Sequence, residues 1–355
     1  MKRDSSVLDS LRAIAVSLVL VDHLAETFGP ASIIPMRTAW QLGRLGVIFF
    51  FVHTSYVLML SMQRRGLTGR KLLQDFYVRR AFRIYPLSLA TIAAVVVFDI
   101  PRVPWNDARV VLTIPTVLSN ILLLQNLTGG PSILGLMWSL SAEVLFYLVL
   151  PFMFLATRDG ASVSRLAVLW GLAVLVGFLQ DASQTGILSV LYYAPCFTSG
   201  VIAFVRADRI VGGQWPFWMW ATTLGGLVTA YLGISVLGTD PHIEPLAWIM
   251  CLVLGILLPN FAETSISTVK AISHAVAKYS YGVYMTHLPS IWVAFRLLAD
   301  QSVFVQWTTF AVLMVVLPVV AYHAIEAPFI QFGNSLGKVL GRERAPLSTA
   351  TVSQV

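Results

Sequence analysis

Residues 303–325 read VFVQWTTFAVLMVVLPVVAYHAI and contain no Lys, Arg, Asp or Glu. About 20 apolar residues in helical form cross the hydrocarbon of a bilayer, so this run is long enough to span one. Further apolar runs fall at about 8–28, 45–62, 84–100, 137–157, 164–180, 187–205, 215–235, 244–261 and 279–298. Little chain is left between them. Of the 355 residues 57% are hydrophobic and only 12% charged, with a mean hydropathy of +0.77. A soluble domain carries roughly twice that charge fraction. Composition therefore excludes both a disordered chain and a soluble globule. The expected fold is an all-α integral membrane protein of about ten transmembrane helices.

One further run, about 110–126, is interrupted by Pro115, Ser119, Asn120, Gln125 and Asn126. It reads either as an eleventh crossing or as an interfacial or re-entrant segment. Lys and Arg are retained on the cytoplasmic side of membrane proteins, and this bias separates the two readings. Ten crossings with a cytoplasmic N-terminus place 19 of the 24 basic residues inside, leaving Arg37, Arg44, Arg102, Arg109 and Arg296 outside. Counting 110–126 as a crossing inverts everything after it, and the split becomes 11 inside against 13 outside. The expectation is ten crossings with both termini in the cytoplasm. Residues 1–335 form a single polytopic domain. Residues 336–355 are a short cytoplasmic tail, polar enough after Gly341 to be disordered.

The same bias accounts for the net charge of +7, and no basic stripe on a soluble fold points to nucleic acid. Lys2 and Arg3 ahead of an apolar run imitate a signal peptide. The run is broken by Asp22, His23 and Glu26 with no small-residue cleavage site after it, so it reads as a retained first helix. Cys196 and Cys251 lie in apolar runs without metal or redox spacing.

An ionisable side chain within a spanning helix is costly and marks function by default. Arg12 and His23 are eleven residues apart, about 1100° of helical rotation, so they share one face within roughly 20°. Their separation along the axis is about 16 Å. Asp9 lies a turn before Arg12 on nearly the same stripe, while Asp22 points about 100° away. The bland alternative has Arg12 reaching the headgroups and His23 closing a helix end. Against it, imidazole is the side chain best poised for proton transfer near neutral pH. In the basic loop from Arg64 to Arg83, most charges are topogenic. Arg80 and Arg83, however, stand three apart at the mouth of the third helix, a spacing that suits chelation of phosphate. Glu143, His287 and Glu326 are further polar groups in apolar runs, each readable as a satisfied interhelical hydrogen bond. His53, His242, His274, His287 and His323 are scattered, giving no metal set. No serine or cysteine has the context of a nucleophile.

These segments, in order, resemble the acyltransferase-3 family of membrane-bound O-acyltransferases. LDSLRAIAVSLVLVDH, RRAFRIYP, WSLSAEVLFYLVLP, SYGVYMTHLP and IEAPF are similar to that family's successive signatures, and the resemblance runs from about Leu8 to Phe329. It implies transfer of an acyl group, usually acetyl, from acyl-CoA to a hydroxyl of a glycan, a lipid-linked sugar or a small molecule. That places the protein in a bacterial inner membrane, with acyl-CoA as co-substrate and no bound cofactor or metal. Carried over by residue, it implies His23 and Arg12 as the catalytic pair and Arg80 and Arg83 for donor binding. Asp9, Glu143 and His287 are candidate supporting residues. The chain departs from the pattern at Ser10, usually glycine. It departs again in the second helix, where GVIFFFVHTSY stands for roughly G-V-D-L-F-F-V-L-S-G-F. There Ile48 replaces an acid, Thr54-Ser55-Tyr56 replace Ser-Gly-Phe, and His53 has entered. A lost glycine removes close backbone approach. A membrane exporter of an acylated or anionic small molecule is the rival reading, because intramembrane charges also mark transport paths.

Overall fold

The computed structural model describes residues 5–159, 162–183, 189–207, 209–210, 214–237 and 244–341. Each apolar run becomes one helix: α1 (Ser6–Phe28), α2 (Met36–Arg65) and α3 (Gly69–Val97) come first. Two short helices follow, α4 (Ile114–Ile121) and α5 (Gln125–Thr128). The rest are α6 (Met137–Thr157), α7 (Val163–Ser183), α8 (Ala194–Ala207), α9 (Phe217–Leu237), α10 (Glu244–Leu257), α11 (Ser267–Trp292), α12 (Val303–Val320) and α13 (Ala327–Gly341). Among the described residues six helices are long and apolar enough to cross a membrane by length and composition, with shorter apolar helices beside them. α12 continues through a π-helical turn at Ala321–Glu326 directly into α13, which carries helix past position 336 to Gly341. The residues beyond Gly341 lie outside the described residues.

Segment 110–126 does not make a continuous helix. The eight residues of α4 rise only about 12 Å, far short of a hydrocarbon core of about 30 Å. Its polar residues are tethers. Asn120 Nδ2 donates to the carbonyls of Thr116 and Pro131, both at 2.9 Å, and its Oδ1 accepts from Ile133 N. Gln125 and Asn126 donate to the carbonyls of Met137 and Trp138 at the start of α6. Val111, Ile114, Leu118 and Leu122 stay exposed on its outer side. The segment is therefore a short broken helix tethered to α3 through Tyr85 and to the start of α6, as an interfacial or re-entrant segment would be.

α1 is held between α2 and α11. Its Val7, Leu11, Ala15, Val19 and Asp22 form one buried stripe at helical spacing. Contact with α2 is close because Gly46 has no side chain: a Cβ there would lie 2.6 Å from the Ala15 carbonyl oxygen. The N-cap Ser5 accepts from Leu8 N, and Ser6 bonds Glu263, which ties the start of α1 to the approach of α11. α13 packs on α3, and α8 packs on α2 and α10. By contrast α12 leaves Val312, Val315, Val316 and Val320 exposed, as a lipid-facing helix would.

Two of the sequence departures, Ser10 and Ser55, have local structural accounts. Ser10 Oγ accepts the Trp220 indole N–H at 2.8 Å, a bond to α9 that glycine could not make. Ser55, standing where the family pattern has glycine, faces Gly200 of α8, where any Cβ would collide with the Ser55 hydroxyl. The glycine lost from α2 is thus matched by one on its partner, so the expected loss of close approach does not occur.

Candidate functional site

His23 of α1 and His287 of α11 meet in the interior. Their rings lie nearly parallel, 7° apart with centroids 5.0 Å apart, and His23 Nδ1 is 2.7 Å from His287 Nε2. On its other side, His287 Nδ1 is 2.7 Å from the carbonyl oxygen of Tyr284, one turn earlier. A carbonyl only accepts, so His287 Nδ1 carries a proton. Neutral His287 then presents Nε2 as an acceptor, and His23 Nδ1 donates to it. That arrangement leaves His23 Nε2 with a free lone pair. Trp105 stacks on the His23 ring at 5.5 Å, and Tyr284 donates its hydroxyl to the Leu136 carbonyl, so the wall around the pair is fixed.

Arg12 lies about 16 Å along α1 from His23, and the two do not touch. The guanidinium sits over the Phe50 ring at 5.9 Å, and its buried Nε has no hydrogen-bond partner. Around it the structure gathers the other polar groups picked out from the sequence. Arg83 pairs with Glu326 at 2.5 Å and lies over the Tyr281 ring. Arg80, Glu143 and Tyr147 line the same small cavity, with the Tyr147 hydroxyl bonded to Glu143. Of the three arginines in RRAFR, Arg80 and Arg83 line this cavity, and Arg83 also lines the wide one that opens at the N-terminal end of α1. Asp9 is at the mouth, where its carboxylate is 3.0 Å from His274 Nδ1.

Among the described residues three cavities follow α1 in series. A wide one of about 890 Å³ opens at the N-terminal end of α1 and is lined by Asp9, Arg12, Arg64, His274 and Lys278. A narrow one of about 100 Å³ shares Arg12, His53, Val57 and Arg83 with it and adds Arg80 and Glu143. The third, about 330 Å³, lies at the far end and is lined by Asp22, His23, Trp40, Arg44 and Trp138; Val47 and Tyr284 belong to both it and the narrow cavity. Asp22, His23 and Glu26 each bring a ligand atom within 4.8 Å of the others, close enough to hold a metal ion. Glu26 joins the two because it stands three residues from His23 and four from Asp22, the spacings at which side chains meet on a helix. In this cluster Glu26 already accepts the Trp40 indole N–H, and His23 Nδ1 is taken by His287.

Sequence reasoning missed Trp105, which lies in a loop without any periodic signal. It noted His53 but gave it no place. Tyr284 was legible in principle, since a residue three before His287 shares its helix face.

The profile of a family described as an acyltransferase domain matches residues 6–323. The chain is similar to a protein named acyltransferase MdmB from Streptomyces mycarofaciens, 24% identical over 345 residues, covering 87% of this chain and 84% of that one. No solved structure matches it.

Proposed function

This chain belongs to the acyltransferase-3 family, a multi-pass membrane acyltransferase, and we propose that it moves an acyl group, in the family's usual case acetyl, from acyl-CoA to an acceptor hydroxyl with His23 as general base. The observation that carries this reading is the relay from the Tyr284 carbonyl through His287 to His23, which leaves His23 Nε2 free to take a proton. His23 also lines the far cavity, where an acceptor can reach it. Wide, narrow and far cavities then serve nucleotide, arm and acceptor in that order. The nucleotide phosphates sit in the wide cavity near Arg64, Lys278 and Arg12, whose Nε has no hydrogen-bond partner. Arg80 and Arg83 act deeper than phosphate, shaping the passage through which the donor's arm runs.

In the transfer step the acceptor hydroxyl gives its proton to His23 Nε2 as its oxygen bonds the thioester carbon. The tetrahedral adduct collapses, the carbon–sulfur bond breaks, and the departing thiolate takes the proton back from His23. His287 holds the ring in one tautomer throughout. Asp22 and Glu26 each bring a carboxyl oxygen within 4.8 Å of a His23 ring nitrogen. The acceptor is a hydroxyl of a glycan, a lipid-linked sugar or a small molecule. The basic residues at the wide end support a reading in which that end and both termini face the cytoplasm of a bacterial inner membrane.

The test is mass spectrometry of surface glycans and extractable metabolites from cells with the wild-type protein, with the His23→Gln variant at matched membrane levels, and with neither. An ester present only with wild type supports the reading. Full ester formation by His23→Gln removes the base role, and the lack of any protein-dependent ester removes acyl transfer to these acceptors.

A further inference from the structure

His53 belongs to α2 at a position that is leucine in the family's second-helix pattern, and nothing in the transfer step above uses it. The ring is 4% exposed, and its Nδ1 is buried with no hydrogen-bond partner. An imidazole in that condition lowers stability unless something completes its bonding. It is also not isolated. Arg12 Nε, on the facing helix α1, is likewise buried without a partner. Both side chains line the wide cavity and the narrow one, so the two unfilled groups flank the opening between them.

The size of the narrow cavity limits what can complete them. At about 100 Å³ it admits a thread but not a nucleotide. The rest of the opening is Val57 and Arg83, whose guanidinium is already paired with Glu326. A neutral imidazole offers one donor and one acceptor, which suits an uncharged polar chain better than a phosphate. The arm of coenzyme A, pantetheine, is such a chain, with two amides and a hydroxyl spaced along a flexible backbone. We propose that His53 binds the pantetheine arm of the donor at this opening by hydrogen bonding to one of its amides. Arg12 on the opposite wall holds the phosphate end of that arm. The proposal rests on acyl-CoA being the donor. The histidine that breaks the family pattern is on this view a donor-binding residue particular to this chain.

The experiment measures binding of two probes, coenzyme A and adenosine 3′,5′-bisphosphate, to full-length protein in nanodiscs by competition against a fluorescent coenzyme A analogue. The bisphosphate keeps the 3′-phosphate and the first 5′-phosphate and lacks the arm together with the phosphate that joins it. His53→Phe keeps the ring shape without its nitrogens. It is expected to weaken coenzyme A about tenfold and to leave the bisphosphate within about twofold of wild type. His53→Asn and His53→Gln each reproduce one ring nitrogen, and one of the two is expected to restore most of the affinity. Wild-type affinity of His53→Phe for coenzyme A overturns the proposal. So does an equal loss for both probes, which makes the residue structural. If wild-type protein binds neither probe, the donor reading itself fails and takes the proposal with it. If wild type binds coenzyme A alone, only the nucleotide contacts at Arg64 and Lys278 fail, and His53 is then judged on coenzyme A with the two rescue variants.

Discussion

His287 holds His23 in a defined tautomer: the 2.7 Å contact between His287 Nε2 and His23 Nδ1 is set by the Tyr284 carbonyl behind it. Their partnership crosses 264 residues of sequence and depends on α11 lying against α1.

The two histidines are therefore expected to fail differently. His23→Gln lowers kcat by about 10²–10⁴-fold, because an amide bonds the acceptor but takes no proton. His287→Leu lowers kcat by about 10–100-fold, since the tautomer of His23 is no longer imposed. His287→Gln places an amide oxygen near the lost Nε2 acceptor and recovers part of that loss. Acyl transfer kinetics at matched protein levels read all three. Wild-type kcat in His287→Leu means that the second histidine only packs.

Arg83 and Glu326 form a pair in which the carboxylate side chain is fully buried. Removing the arginine alone leaves that carboxylate without its cation, at a cost of about 3–5 kcal/mol. Arg83→Met is expected to unfold at a markedly lower temperature in detergent, and Arg83→Met/Glu326→Gln to regain much of the difference. Affinity for coenzyme A is expected to stay impaired in the double variant, while Lys71→Ala at the start of α3 changes it little. Recovery of affinity together with stability reduces Arg83 to a structural role.

Reporters fused after Arg165 and Arg209 are expected to read cytoplasmic, and one near Asp240 extracytoplasmic. The basis is the charge distribution together with the short α4, which rises only about 12 Å. Opposite readings at these loops put the later helices the other way round and the C-terminus outside.

The all-α membrane class was legible in the sequence because apolar runs of spanning length are decided locally: in hydrocarbon each backbone N–H and C=O must be satisfied within its own helix. Helical geometry alone also placed Arg12 and His23 on one face of α1, and both side chains do line cavities along it. The partners of those residues were not legible. In a soluble helix the apolar stripe marks the inside, but here α2, which buries Phe49 and Met59, and α12, which exposes Val312 and Val315, have similarly apolar sequences. Which helix meets which is decided by shape, as where Gly46 admits Ala15 or Gly200 admits Ser55, and by buried polar groups finding each other. Only the assembled bundle could turn His287 from a packing residue into the partner of His23. Only the bundle could draw Arg80 and Arg83 inward, because pairing with Glu326 or lining a cavity with Glu143 requires helices far apart in the chain to come together.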